Sequence, residues 1–230
     1  MLGFYNYTMF LTYLSLASAA TGIIVSLTGV GHPFIGAGLL LLCGLCDAFD
    51  GKVAKTKKNR SELECKYGIQ LDSLSDVVAF GVLPTCVGAA IVMRSEFFEF
   101  ETSGWRLAFT IGCFVIMVAY VLTAMIRLAY FNVTEEERQK TETGSRKYYT
   151  GIPVTLGSLI LPPVLILQYI LEQIFSIDLT YMYFIAMLLI AIGYVSKFRV
   201  RKPGLRGVIA ISCLGCAETI ALIVAFIVFN

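Results

Sequence analysis

Histidine is all but missing from this chain. Its 230 residues contain one, His32, in a Gly31-His32-Pro33 turn between apolar runs. A histidine general base is thereby effectively excluded, and acid–base work falls to Asp, Glu, Lys or Tyr. Charge is scarce as well. Asp, Glu, Lys and Arg together make 15% of the residues, where a soluble domain averages about 25%. That excludes an ordinary soluble domain. An internal repeat is also lacking, which argues against the duplicated halves common in ion-coupled transporters. Of the seven cysteines, Cys43/Cys46 and Cys213/Cys216 form CxxC pairs. Both pairs lie in apolar runs, where residues at i and i+3 merely share a helix face, and packing is their reading.

What the chain has in abundance is apolar residues, 57% of the total. Runs near the length of a bilayer crossing recur at 6–29, 33–49, 71–93, 105–130, 151–173, 179–195 and 207–229. The expectation is an all-α, polytopic transmembrane helix bundle of about seven spans, in a single integral-membrane domain over 1–230. No basic stretch follows Met1, so the first span is expected to stay in the membrane. Pro162-Pro163 predicts a kink in the fifth span.

The basic residues set an orientation. Of the 18, all but Arg94 and Arg106 fall at one set of span ends. They occupy a loop at 52–66, the segment 127–147 and the segment 197–206. The excess of Lys and Arg marks that side as cytoplasmic. Residues 134–148 read as a solvated loop on the same side.

Against this background one stretch stands out. Residues 47–76 read DAFDGKVAKTKKNRSELECKYGIQLDSLSD, with aspartates at 47, 50, 72 and 76 where two apolar segments meet. Carboxylates at the edge of hydrocarbon are costly and need a partner. On helices, Asp47, Asp50, Gly51 and Ala54 share one face, and Gly68, Asp72 and Asp76 share another. Two acidic faces joined by a short loop can converge on cations. A set of carboxylates without His or Cys selects Mg²⁺, Mn²⁺ or Ca²⁺ over zinc. Gly51, Ala54 and Gly68 leave room for a bulky ligand against the backbone, and Lys55 offers a point charge to a phosphate. Together these features point to a diphosphate bound between two helices at the membrane surface. Thr12 and Ser15 share a face of the first span, and either helix packing or a ligand-facing role fits them. Arg127, near the cytoplasmic end of the fourth span, can hold an anionic substrate group, with Asn132, Arg146 and Lys147 making the same end polar.

The spacing Asp47-x-x-Asp50-Gly51-x-x-Ala54-Lys55, then Gly68-x-x-x-Asp72-x-x-x-Asp76, resembles the signature of the CDP-alcohol phosphotransferases. Lys55 stands where the pattern has arginine, and the twelve residues between Lys55 and Gly68 exceed the usual gap. The blocks FLTYLS (10–15), LDSLSDVVAFGVLP (71–84), RLAYFNV (127–133), TGIPV (150–154) and VSKFRVRKP (195–203) are similar to the phosphatidylserine synthase branch, with Tyr130 in place of arginine and Ser15 in place of asparagine.

The resemblance implies six core helices with one or more added. It implies CDP-diacylglycerol as donor, L-serine as acceptor, and phosphatidylserine and CMP as products. It assigns Asp47, Asp50 and Asp72 to two Mg²⁺ or Mn²⁺ ions, with Asp76 completing the second site and acting as general base. Gly51, Lys55 and Ser61 would contact the CDP part, and a homodimer is expected by analogy. To this the charge argument adds Arg127, with Asn132 beside it, for the serine carboxylate. The alternatives are another acceptor in the same family (glycerol phosphate, inositol phosphate or choline), an ion-coupled transporter, or a structural bundle whose acids pair with nearby lysines.

Overall fold

The computed structural model describes residues 3–29, 33–95, 104–141, 148–176, 178–201 and 205–229. A 3₁₀ turn, Tyr7–Met9, leads into α1, Phe10–Thr28. The Asn6 side chain caps that turn by accepting from the Thr8 N–H at 3.0 Å. α1 stops at Gly29, whose φ of 66° a glycine adopts at no steric cost. α2 is Pro33–Ala54 and α3 is Glu62–Asp76. The connection between them is thus 55–61, shorter than the basic loop expected at 52–66, because helix geometry persists to Ala54 and restarts early. It restarts at a capping box: the Ser61 hydroxyl accepts from the Glu64 N–H at 3.1 Å, and the Glu64 carboxylate accepts from the Ser61 N–H at 3.0 Å.

α3 runs into a π-helical turn, Val77–Val82, and then α4, Leu83–Val92. The wide turn closes with Leu83 N–H donating to the Val78 carbonyl. Pro84 follows directly. It has no N–H to donate, and its ring crowds the carbonyl four residues back.

α5, Gly104–Thr141, is 38 residues long. It carries 134–141 as helix, so the solvated loop expected from 134 begins later than the sequence suggested. Acid–base spacing of three accounts for the extension: Arg138 pairs with Glu135 at 2.6 Å and Lys140 with Glu137 at 3.0 Å. α6, Gly157–Phe175, stays continuous through Pro162 and Pro163. α7 is Tyr181–Val195 and α8 is Leu205–Phe229. Each expected span therefore has its helix. Among the described residues five stretches are long and apolar enough to cross a membrane: Tyr7–Thr28, Pro33–Ala54, Glu62–Val92, Gly104–Arg138 and Val154–Phe175. Tyr181–Val195 and Cys213–Val224 are shorter apolar segments. His32, Arg146, Lys147 and Lys202 lie outside the described residues.

Small residues let the helices approach. A β-carbon at Gly22 of α1 would stand 2.7 Å from Leu83 Cδ1, and one at Gly36 of α2 would stand 2.6 Å from Ser26 Oγ and 2.7 Å from Val87 Cγ2. α1, α2 and α4 are thereby locked together. Gly44 of α2 has no room for a side chain against Ser158 of α6. The core is filled by Tyr120, Tyr183, Phe80, Phe184, Leu40, Leu161 and Met187. Its buried tyrosine hydroxyls are satisfied: Tyr183 donates to the Pro84 carbonyl at 3.0 Å, Tyr194 to the Val154 carbonyl at 2.8 Å, and the Tyr120 hydroxyl lies 3.1 Å from that of Tyr194.

Two short strands, β1 (Tyr148–Thr150) and β2 (Arg199–Arg201), pair antiparallel. They tie the segment before α6 to the segment after α7. Gly151, at φ 75°, donates its N–H to the Phe198 carbonyl at 2.7 Å. One end of the bundle so collects the end of α2, the start of α3, the end of α5 and the approach to α6.

Candidate functional site

The first acidic face lies in the last two turns of α2 and the second in the last two turns of α3. Three of the four aspartates meet. Asp47, Asp50 and Asp72 each offer a carboxylate oxygen, and these oxygens lie within 4.8 Å of one another. Asp76 is buried one turn beyond Asp72, within electrostatic reach of the other three. Among the described residues none of the four is in an ion pair. Two of the nearby lysines are engaged elsewhere: Lys57 with Glu64 at 3.0 Å, Lys66 with Glu62 at 2.7 Å. A structural bundle in which loop lysines neutralise the aspartates is not what the chain builds.

Like charges this close repel unless a cation or a proton lies between them. The donors are oxygens with no imidazole among them, and the set fits a hard divalent cation such as Mg²⁺ or Mn²⁺. Asp47, Asp50 and Asp72 are the residues able to hold it.

Small residues frame the cluster unequally. Gly51, next to Asp50, is exposed, and a β-carbon there would meet nothing within 4 Å. Space is thus open over that turn of α2. Gly68 instead backs onto a cation, since its β-carbon would stand 2.8 Å from Arg60 Nη2. Ala54 is half-buried at the end of α2, and its carbonyl accepts from Arg60 Nη1 at 3.5 Å. Lys55 is exposed just past the helix end. Ser61 is the N-cap of α3, so its hydroxyl already serves the Glu64 N–H. The S-x-x-E pattern that signals this cap was present in the sequence.

Thr12 and Ser15 are buried where α1 meets the site helices. The Thr12 carbonyl accepts from Ser75 Oγ at 3.3 Å, next to Asp76, and the Ser15 carbonyl accepts from Cys43 Sγ at 3.3 Å. Ser15 Oγ is buried without a hydrogen-bond partner. Cys43 therefore acts as a packing residue with a weak donor, as its apolar setting suggested.

The two α5 residues have different settings. Asn132 Nδ2 donates to Ser73 Oγ at 2.6 Å, which fastens α5 to α3 beside Asp72. Arg127 is buried, 4% exposed. Its Nε donates to the Ile152 carbonyl at 2.9 Å, and its guanidinium lies 5.6 Å from the Phe131 ring centre. Arg127 is thus tied to the Gly151-Ile152-Pro153 segment leading into α6.

A model of the CDP-alcohol phosphatidyltransferase family matches residues 5–195. The CDP-diacylglycerol–serine O-phosphatidyltransferase of Saccharomyces cerevisiae is 37% identical over 131 residues, covering 56% of this chain and 41% of the yeast protein. The archaetidylserine synthase of Methanothermobacter thermautotrophicus is 31% identical over 146 residues, 63% of this chain and 52% of that protein. The CDP-diacylglycerol–serine O-phosphatidyltransferase of Helicobacter pylori strain J99 is 29% identical over 130 residues, 56% of this chain and 45% of that protein. The chain thus spans about half the length of the curated relatives it matches. With the family's match running from the 3₁₀ turn to the end of α7, across both aspartate faces, the chain belongs to the CDP-alcohol phosphatidyltransferase family.

Proposed function

We propose that this protein transfers the phosphatidyl group of CDP-diacylglycerol to the hydroxyl of L-serine, giving phosphatidylserine and CMP. The convergence of Asp47, Asp50 and Asp72 supports the reading most directly, since it is a hard-cation site beside open backbone at Gly51. The serine-specific names of the relatives support the acceptor.

The residues divide the work as follows. Asp47, Asp50 and Asp72, with Asp76, would hold two Mg²⁺ or Mn²⁺ ions. When bound, such ions neutralise the diphosphate and stabilise the attacking and leaving oxygens. Gly51 and Ala54 leave the α2 face clear for the diphosphate, and Lys55 adds a positive charge at its edge. Thr12 and Ser15 line the α1 side. Asp76 takes the proton from the serine hydroxyl as its oxygen attacks the β-phosphorus. A new P–O bond forms to serine, the P–O bond to CMP breaks, and CMP leaves with that electron pair. Arg127 and Asn132 hold the serine carboxylate and orient the hydroxyl. The site lies at the cytoplasmic face, and the working form is a homodimer.

The test is purified protein supplied with CDP-diacylglycerol and, in turn, serine, glycerol phosphate, inositol phosphate and choline. Serine-dependent CMP release with a matching lipid product is expected. CMP release with glycerol phosphate, inositol phosphate or choline but not with serine would overturn the acceptor.

A further inference from the structure

Arg60 is the cation that the fold carries to the mouth of the site. It belongs to the α2–α3 connection, and its side chain reaches back across the end of α2 and over the first turns of α3. Nη1 donates to the Ala54 carbonyl at 3.5 Å and Nη2 to the Glu64 carbonyl at 3.4 Å, both long bonds. Nε is shielded from solvent and has no partner. Nη2 also occupies the space a side chain at 68 would need, 2.8 Å from where its β-carbon would stand. The missing side chain at Gly68 is what admits the guanidinium. Gly68 lies one turn before Asp72 on the same face, and Ala54 lies one turn after Asp50. The cation therefore bridges the two aspartate-bearing helices at their open end.

The local acids leave Arg60 with donors to spare. Glu64 accepts from Lys57 and from the Ser61 N–H, and Glu62 accepts from Lys66. Among the described residues no carboxylate comes within ion-pair distance of Arg60. A guanidinium presents five N–H donors in a planar fork, and here two make long bonds while Nε makes none. What completes such a group is an anion with several acceptor oxygens, and a phosphate matches the fork. Lys55, the cation within the spaced motif, is an exposed point charge and cannot offer that geometry.

We propose that Arg60 binds the diphosphate of the nucleotide-lipid donor, and that the long connection after Lys55 exists to deliver it. The assignment rests on the function proposed above. Binding of CDP to the purified full chain, in detergent with Mn²⁺, tests it without requiring turnover. Calorimetry on wild type, Arg60→Lys and Arg60→Ala should show CDP affinity falling at least about tenfold in Arg60→Ala, with Arg60→Lys between, as for loss of a charge-assisted fork. Gly68→Ala, which pushes the guanidinium aside, should weaken CDP binding in the same direction. Equal CDP affinity in wild type and Arg60→Ala would overturn the proposal, as would a wild type that binds no CDP. So would an Arg60→Lys variant that binds CDP as wild type does while Arg60→Ala melts at lower temperature, since Arg60 would then only brace the loop. A wild type that binds CDP through Arg60 but forms no phosphatidylserine would instead defeat the proposed function and leave the Arg60 assignment standing.

Discussion

At the scale of single residues, the site is a balance of uncompensated charge. Asp47, Asp50 and Asp72 converge without a protein counter-charge among the described residues, while Lys57 and Lys66 are drawn to glutamates. Removing a divalent cation should therefore stop turnover altogether. We expect chelator to abolish CMP formation and added Mn²⁺ or Mg²⁺ to restore it; activity that persists in excess chelator would refute the metal assignment. Asp76→Asn keeps the shape of the side chain and loses the proton acceptor. It should lower kcat by about a hundredfold or more, the usual scale for a general base. Full turnover in that variant would remove Asp76 from the mechanism. Asn132 donates to Ser73 Oγ at 2.6 Å, beside Asp72.

At the scale of elements, two local devices hold the acidic faces in place. The first is the capping box at Ser61. Ser61→Ala should destabilise α3 by about 1 kcal/mol, whereas Ser61→Asn, also a good N-cap, should keep most of that stability. Thermal unfolding of both variants in detergent checks this, and equal loss in the two would show that the cap is not what matters at 61. The second device is the glycine contact between helices. Gly36→Ala places a methyl 2.6 Å from Ser26 Oγ and 2.7 Å from Val87 Cγ2. Overpacking of this kind costs about 1–3 kcal/mol, so the variant should melt earlier than wild type; an unchanged melting temperature would mean that α1, α2 and α4 slide apart freely. The π-helical turn after Asp76 belongs to the same scale. It changes the helix phase between the aspartate face and the buried run of α4, with Pro84 immediately behind it.

At the scale of the whole molecule, charge placement decides orientation. In the sequence, all basic residues but Arg94 and Arg106 fall at the span ends expected to share a side with the aspartates. From the positive-inside rule we propose that this end faces the cytoplasm. A cysteine introduced at Lys58 should react with an impermeant thiol reagent only from the cytoplasmic side, and one at Ser95 only from the other. The reverse pattern would place the site outside and overturn the proposed orientation.

The sequence by itself determined that the chain is a membrane-embedded helical bundle, and roughly where each helix runs. Hydrophobicity over a bilayer's length, cap residues and i, i+4 spacing are local properties, readable without knowing what packs on what. The aspartate faces were legible for the same reason, because spacing along one helix fixes which residues share a side. Their pairing was not a matter of spacing: that the carboxylates of Asp47 and Asp50 meet that of Asp72 depends on the α2–α3 connection. The engagement of Asn132 with Ser73, of Arg127 with Ile152 and of Arg60 with the bare face of Gly68 was likewise decided by tertiary structure. Each joins groups from separate segments, whose distance is set by how helices dock and not by any pattern along the chain. A loop arginine and a motif lysine look alike in sequence; only the packed structure shows which one reaches Gly68.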